Sequence, residues 1–204
     1  MKAVEHKQGE KQEKEEKILA AATKIFARYG ARKATINDIA REARIGKGTI
    51  YLYFNSKEEI FARVVRKEGD LLLMRIRSAV DCEKTSHDQL SRFLITRLRF
   101  VEDLIRDHGT TLEIFRETKL QPEMELLRNE YLHKEAELVA RILDEGVAKG
   151  EFFIREKQLT ALAISSAFQG LEMPWIWQGR DIKIEDKVSV LMDLFVNGIG
   201  RRIS

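Results

Sequence analysis

The stretch ATINDIAREARIGKGTIYLYFNSKEEIF, residues 34–61, joins two short helical patterns through a tight turn. Thr35 is a good helix N-cap, and Asp38 lies three positions later, which is a capping-box pattern with Asp in place of Glu. Apolar residues at helical spacing follow, and then comes the glycine-containing turn RIGKG. After this turn, Ile50 and Phe54 are four apart and share an inner face. The pattern predicts a helix-turn-helix.

Two kinds of phosphate-binding loop are the alternatives for the sequence around Lys47, and both fail. A Walker-type loop needs Gly and Ser or Thr at the positions that Arg41 and Gly48 occupy. A dinucleotide fingerprint needs a third glycine where Tyr51 stands, and no strand pattern precedes it. Lys47 and Tyr51 are four apart on a face different from that of the apolar pair, so this polar face is free to contact a partner.

Residues 34–61 resemble the signature of the TetR family of transcriptional regulators. The positions that match its pattern are Thr35, Ile39, Ala40, Gly48, Ile50, Tyr51, Tyr53, Phe54, Lys57 and Glu58. Two positions depart from the pattern. Arg44 stands where the turn often has Gly, and a positive φ there would cost roughly 1 kcal/mol. Leu52 replaces a residue that is often polar or aromatic.

The resemblance implies which residues of the N-terminal domain contact DNA. An α-helix fits the major groove with its N-terminal residues near base edges, so Lys47 and Thr49 are expected to contact bases, and Gly48 to let the backbone approach. The residues expected at phosphates are Thr35, Tyr51, Tyr53 and Lys57, and further candidates are Asn37 and Arg44. The alternative is that the two tyrosines only pack and that Lys47 is only solvated.

Positive charge is concentrated in this part of the chain. From Lys17 to Lys57 there are nine cations and two acids, a net charge of +7, whereas the whole chain carries +3. A basic segment joined to a mildly acidic remainder is typical of a module that binds a polyanion. Residues 1–14 have mixed charge and are interpreted as a frayed helical extension, with an arm that enters a minor groove as the alternative.

Composition indicates an all-α protein. The chain has 204 residues, of which 44% are apolar, with two prolines and a single cysteine, which leaves no intramolecular disulfide. No apolar run approaches the roughly 20 residues that a membrane span needs. The first residues also lack the apolar core of a secretory signal. We therefore expect a cytoplasmic protein that does not contact a membrane.

The rest of the chain has helical patterns throughout. The predicted segments are residues 57–80, 88–107 and 110–118, then a helix that Pro122 opens and Gly150 ends, and two closing apolar helices. The predicted architecture is an N-terminal three-helix DNA-binding domain, residues 1–57, followed by a C-terminal helical bundle, residues 58–204.

The resemblance implies that the C-terminal domain dimerises and binds an effector. The residues expected in a homodimer interface are Leu162, Ser166, Gly170, Leu191, Phe195 and Ile199. The candidate pocket residues are Phe100, Phe115, Met124, Tyr131, Phe168 and Trp175. Few charged residues of this domain have a spacing that indicates burial, which favours a small apolar or aromatic effector. An ordinary monomer core is the alternative for both sets.

No catalytic site, cofactor or metal site is predicted. The four histidines are scattered, and His133 with Glu137, four apart, is a weak metal pair without a third ligand.

The predicted function is sequence-specific regulation of transcription by a homodimeric repressor. It binds double-stranded DNA at a near-palindromic operator and is released by the effector. The alternative is an architectural DNA-binding protein that responds to no effector.

Overall fold

A computed structural model describes residues 2–107, 124–178 and 182–197. The helices are α1 (Lys2–Lys33), α2 (Ile36–Ala43), α3 (Lys47–Tyr51), α4 (Lys57–Val80), α5 (Ser86–Asp107), α6 (Glu125–Ala148), α7 (Lys157–Gln178) and α8 (Ile184–Met192). A π-helical turn, Asp193–Asn197, follows α8. Since no strand occurs in these three ranges, the predicted all-α class is confirmed.

Gly150 ends a helix as predicted. It follows α6 with φ of 73°, and Gly30 interrupts α1 with φ of 76°, a conformation that costs glycine little. The predicted helix 57–80 is observed as α4, and α5 begins two residues before the predicted start at residue 88. The predicted segment 110–118 and Pro122 lie outside the described residues.

The chain divides into two compact units. The head unit consists of Met1–Gly69 and Leu104–Leu127, and the body unit consists of Asp70–Asp103 and Arg128–Ser204. The head unit therefore contains the helix-turn-helix, and α4 and α5 each contribute residues to both units. The domain boundary between residues 57 and 58 stays a prediction.

The head unit is held together by the apolar faces of its first four helices. Ile18 of α1, Ile39 of α2 and Ile50 of α3 are completely buried. The rings of Phe26 and Phe61 pack edge to face with their centres 5.1 Å apart, which joins α1 to α4. Burial of each such side chain contributes about 1.5–3 kcal/mol, so this small core holds the short helices α2 and α3 in place.

The body unit has its own core. Its largest completely buried side chains include Phe93 and Leu94 of α5, Leu143 of α6 and Phe168 of α7. On each helix, other buried apolar residues lie three, four or seven positions away from them, as expected for a helix that buries one face. The two units therefore have separate apolar cores.

Candidate nucleic-acid interface

The N-terminus of α2 is held by the predicted capping box. The backbone N–H of Asp38 donates to the Thr35 hydroxyl at 3.2 Å, and the backbone N–H of Thr35 donates to the Asp38 carboxylate at 3.1 Å. The Thr35 hydroxyl itself donates to the same carboxylate at 2.6 Å. This last hydrogen bond is the main cause that lowers the pKa of Asp38 below its ordinary value. The capping box is confirmed, and it leaves Thr35 exposed.

Arg44 ends α2 in the left-handed conformation, with φ of 53° and ψ of 47°. The N–H of Arg44 donates to the Arg41 carbonyl at 3.2 Å, and the N–H of Ile45 donates to the Ala40 carbonyl at 3.0 Å, as in a Schellman motif. The left-handed conformation costs a non-glycine residue roughly 1 kcal/mol. The side chain of Arg44 is exposed, so its charge can approach a phosphate.

The exposed face of α3 contains three of the nine residues that were expected at DNA. Ile50 is completely buried and anchors the helix, whereas Lys47, Gly48 and Tyr51 are exposed. The Lys47 ammonium lies 5.9 Å from the centre of the Tyr51 ring, which confirms that these two side chains share a face. A Cβ atom on Gly48 would meet nothing within 4 Å, so the backbone at this position is open to a partner.

Of the remaining predicted contact residues, Thr49 lies in α3, Tyr53 lies just after it, and Asn37 and Lys57 lie in the first turns of α2 and α4. Asn37, in the first turn of α2, is exposed, while Thr49 and Tyr53 are half-buried. Lys57, the first residue of α4, is also half-buried, and its ammonium donates to the Arg32 carbonyl at 3.2 Å. Arg32 is near the end of α1, so this bond fixes the start of α4 against α1.

Leu52 was not predicted as a contact residue. Its side chain is 79% exposed, next to Tyr51, which is 49% exposed. The sequence analysis noted Leu52 as a departure from the family pattern without placing it on the exposed face. The available signal was that it lies two residues from Ile50 and two from Phe54, both of which point inward.

The charge of the head unit is on its surface. Of the nine cations between Lys17 and Lys57, eight are exposed and Lys57 is half-buried. Arg41 pairs with Asp38, and Lys24 pairs with Glu42 at 3.4 Å, with most of the Lys24 side chain still exposed. Among the described residues these are the two pairs that the acids of the segment form, and the segment has nine cations, so most of its positive charge is available to a polyanion.

The predicted pocket residues are buried where the structure describes them. Phe100, Met124, Tyr131 and Phe168 are each at most 8% exposed. The Tyr131 hydroxyl donates to the Asp70 carboxylate at 2.7 Å, and the guanidinium of Arg75 lies 5.3 Å from the centre of the Phe100 ring. Phe115 and the side chain of Trp175 lie outside the described residues.

The predicted dimer residues separate into exposed and buried ones. Ser166, Gly170 and Phe195 are exposed, and Leu162 is half-buried. Leu191 is only 5% exposed and packs inside its own chain. Leu191 and Phe195 are four apart and were expected to share a face, but the turn after Met192 is π-helical and changes the register between them. Ile199 lies outside the described residues.

The body unit contains a buried ion pair that the sequence analysis missed. The Arg97 side chain on α5 is 5% exposed and the Glu135 side chain on α6 is 3% exposed, and the Arg97 Nε donates to the Glu135 carboxylate at 2.7 Å. The expectation that few charges of this domain are buried was therefore incomplete. The available signal was helical spacing, because Phe93, Leu94, Phe100 and Val101 lie three or four residues from Arg97 and are all apolar. Arg99, which pairs with Glu185 at the surface, lacks such neighbours on one side.

In the part of the chain that the structure describes, no group of three or more His, Cys, Asp or Glu side chains is arranged to hold a metal ion. His133 and Glu137 are both exposed on α6. Among the described helices, none combines the length and the apolar character required to cross a bilayer.

Comparison with known proteins agrees with the geometry of the head unit. Residues 18–64 match the family model of bacterial regulatory proteins, tetR family. The chain is 27% identical over 183 residues to the uncharacterized HTH-type transcriptional regulator YhgD of Bacillus subtilis (strain 168). This alignment covers 88% of this chain and 92% of YhgD. It is 25% identical over 197 residues to the fatty acid metabolism regulator protein of the same organism, covering 93% and 97% of the two chains.

Solved structures share the fold beyond the head unit. The crystal structure of the transcriptional regulator FadR from B. subtilis, in complex with stearoyl-CoA, superposes with a TM-score of 0.74 and 22% identity. The superposition covers 90% of this chain and 98% of that chain. At this level of identity the likeness shows a common fold.

Proposed function

We propose that this chain, which belongs to the tetR family of bacterial regulatory proteins, represses transcription as a homodimer and leaves its operator when a small molecule binds to its C-terminal domain. The observation that carries the proposal is the exposed face of α3, where Lys47 and Tyr51 lie together beside an open glycine backbone. This face belongs to a surface with eight exposed cations, which suits the phosphate backbone of DNA.

Each exposed residue has a role that follows from its chemistry. Lys47 is at the N-terminal end of α3 and can donate to guanine O6 or N7 in the major groove, while Thr49 can meet another base edge. Tyr51 and Tyr53 have hydroxyls that suit phosphate oxygens. Lys57 uses one of its three N–H donors on the Arg32 carbonyl, so two remain for a phosphate.

Thr35, Asn37 and Arg44 complete the proposed phosphate contacts. The hydroxyl of Thr35 donates to Asp38 in the free protein and must turn to donate to a phosphate instead. Asn37 is exposed in the first turn of α2, where the helix dipole favours an anion. The exposed charge of Arg44 offsets the cost of its left-handed backbone when it meets a phosphate.

The homodimer is supported by apolar side chains that the single chain leaves exposed on its last two helices. Leu159 is 65% exposed on α7, Val190 is 58% exposed on α8, and Phe195 is 36% exposed after it. Gly170 is exposed on α7, and a Cβ atom there would meet nothing within 4 Å of its own chain. Two identical head units then require a near-palindromic operator, with half-site centres about one helical turn of DNA apart or a multiple of it.

For the effector we propose a long-chain acyl thioester. Support comes from the two similar proteins named above, a fatty acid metabolism regulator and a FadR structure that holds stearoyl-CoA. The body unit buries several phenylalanines, which suit an acyl chain. We propose that helix α4 transmits effector binding to the DNA-binding residues. It begins at Lys57, and in the body unit its Asp70 accepts a hydrogen bond from Tyr131.

The test starts by selecting binding sites for the full-length protein from a random pool of DNA duplexes. We expect a near-palindromic site, and we expect stearoyl-CoA to lower the affinity for it about 5- to 150-fold, which corresponds to a coupling free energy of about 1–3 kcal/mol. Free coenzyme A is the matched control and should have no effect. Unselective binding would instead favour the architectural alternative, and a selected site that ignores stearoyl-CoA would refute the proposed effector.

A further inference from the structure

Arg97 and Glu135 form an ion pair whose burial costs free energy. Their side chains are 5% and 3% exposed, whereas Arg99 and Glu185, which pair nearby, are 55% and 48% exposed. Removal of two charges from water costs several kcal/mol per ion, and apolar residues of similar volume often stabilise a core as well or better. Stability alone therefore gives little reason for this pair to be inside the body unit.

Helix α7 contributes an aromatic ring beside this pair and, one turn away, a buried hydroxyl. The guanidinium of Arg97 lies 5.9 Å from the centre of the Phe168 ring. Ser165 is one turn before Phe168, on the same buried face of α7, and is completely buried. The Ser165 hydroxyl oxygen has no hydrogen-bond partner among the described residues. An internal hydroxyl without a partner is costly, so it indicates a polar group that binds from outside the chain.

We propose that the Ser165 hydroxyl donates to the carbonyl oxygen of an effector, beside the Arg97–Glu135 pair; these three residues are the internal polar cluster. The inference rests on the proposed function and adds to it the part of the effector that is recognised. The Ser165 hydroxyl can donate a hydrogen bond and the guanidinium of Arg97 is positive, so a ligand atom that accepts fits this place. The Arg97–Glu135 pair has no net charge, so a neutral carbonyl fits better than a carboxylate, which Glu135 would repel.

The apolar part of such an effector would lie against the aromatic side of the cluster. Phe168 is directly beneath the guanidinium, and Phe93 of α5 is completely buried four residues before Arg97. One polar group that sets orientation, within a mostly apolar lining, is the usual composition of a small-molecule site. A thioester carbonyl at the head of an acyl chain has this chemistry.

The experiment compares stearoyl-CoA with S-octadecyl-CoA. The two probes differ at one carbon atom, which is a carbonyl in the first and a CH₂ group in the second. Binding of each to the full-length protein is measured by titration calorimetry. The wild type should prefer stearoyl-CoA by about 3- to 10-fold, the contribution of one hydrogen bond. Ser165→Ala should bind both probes equally, with its affinity for S-octadecyl-CoA unchanged. The control Ser78→Ala removes an exposed hydroxyl of the body unit and should keep the preference.

A thermal unfolding scan separates a binding role of Ser165 from a structural one. If the hydroxyl has no partner in the free protein, Ser165→Ala should unfold at the same temperature as the wild type or above it, and a lower midpoint would overturn the proposal. Equal binding of both probes by the wild type, or a preference that survives in Ser165→Ala, would also overturn it while leaving the acyl effector intact. If neither probe binds, the acyl-thioester effector and the cluster's role fail together, and DNA binding is unaffected.

Discussion

The head unit and the body unit differ in where they place their polar side chains. Among the described residues of the head unit, polar side chains are at least partly exposed, both in local bonds such as Thr35 with Asp38 and in long-range ones such as Arg63 with Glu15, 48 residues apart. The body unit buries polar side chains, among them Arg97, Glu135 and Ser165. The Arg97–Glu135 pair spans 38 residues, and the N–H of Ser86 donates to Glu151, 65 residues away.

This difference separates the residues that are available to bind a partner from those that stabilise the fold. Because an apolar core holds the head unit together, the exposed face of α3 contributes little to its own fold and is free for a partner. The buried Arg97–Glu135 pair of the body unit joins α5 to α6, so it holds these helices in one arrangement. We therefore expect substitutions on α3 to change DNA affinity and substitutions in the Arg97–Glu135 pair to lower the free energy of unfolding.

The largest expected effect is that of Arg97→Ala. It leaves the Glu135 carboxylate buried without its guanidinium, and the free energy of unfolding should fall by about 3–5 kcal/mol. Arg99→Ala is the matched control on the same helix, and it breaks an exposed pair worth at most about 1 kcal/mol. Urea unfolding followed by circular dichroism measures both. Similar losses in the two variants would contradict the claim that burial of the Arg97–Glu135 pair makes it matter for stability.

Gly146→Ala should have the next largest effect. A Cβ atom at this position would come 2.2 Å from the Phe152 ring and 3.0 Å from the Ser86 Cβ atom, so α6 or its neighbours must shift. We expect a loss of about 1–3 kcal/mol in the free energy of unfolding. Gly9→Ala, where a Cβ atom meets nothing within 4 Å, should not destabilise the protein. A Gly146→Ala variant as stable as the wild type would show that this contact is not tight.

Gly48→Ala tests the same substitution on the exposed face of α3. Nothing lies within 4 Å of the added methyl group, so the free energy of unfolding should be unchanged or slightly higher. DNA affinity should nevertheless fall by about tenfold, or about 1.4 kcal/mol, because the methyl group separates the backbone from the groove. Fluorescence anisotropy with a labelled operator duplex measures this loss. Undiminished affinity would mean that the backbone at Gly48 does not approach DNA.

The smallest expected effect is a shift in the titration of Asp38. The hydrogen bond from Thr35 lowers its pKa below 3.8, so the stability it contributes is complete above that value and is lost as pH falls through the folded pKa. In an NMR titration, Thr35→Ala should move the pKa back up toward 3.8. Asp88, whose pKa is lowered mainly by Thr85, should not move and is the internal control. An unchanged midpoint for Asp38 would contradict the role of Thr35.

The contrast between the units also explains which features could be predicted from the sequence. The capping box at Thr35, the left-handed Arg44 and the shared face of Lys47 and Tyr51 each depend on residues within four positions. Helical spacing determines such features. Helical spacing also separates Arg97 from Arg99, because the positions three and four residues from Arg97 are all apolar, whereas those around Arg99 include Glu102 and Asp103. The pairing of Arg97 with Glu135 of α6 has no such local signal, since it depends on how the helices pack.

A change of helical register between Leu191 and Phe195 is a second feature that could not be predicted from the sequence. Leu191 and Phe195 have the spacing of one helical face, which places both in the predicted interface. The π-helical turn Asp193–Asn197 separates them, so that Leu191 is buried in its own chain and Phe195 is exposed. A single-residue change of register of this kind has no marker in the sequence, since it depends on tertiary packing.

The central claim, that the exposed face of α3 reads DNA sequence, is tested most directly by one binding profile. Wild type, Lys47→Ala and Tyr51→Phe are each incubated with a random pool of DNA duplexes, and the base preference at every operator position is measured by sequencing the bound fraction. Lys47→Ala should flatten the preference at one position of each half-site, a loss of about 1–3 kcal/mol in discrimination. Tyr51→Phe should weaken all sites about equally, because it removes a phosphate contact. A profile that Lys47→Ala leaves unchanged at every position would contradict the claim.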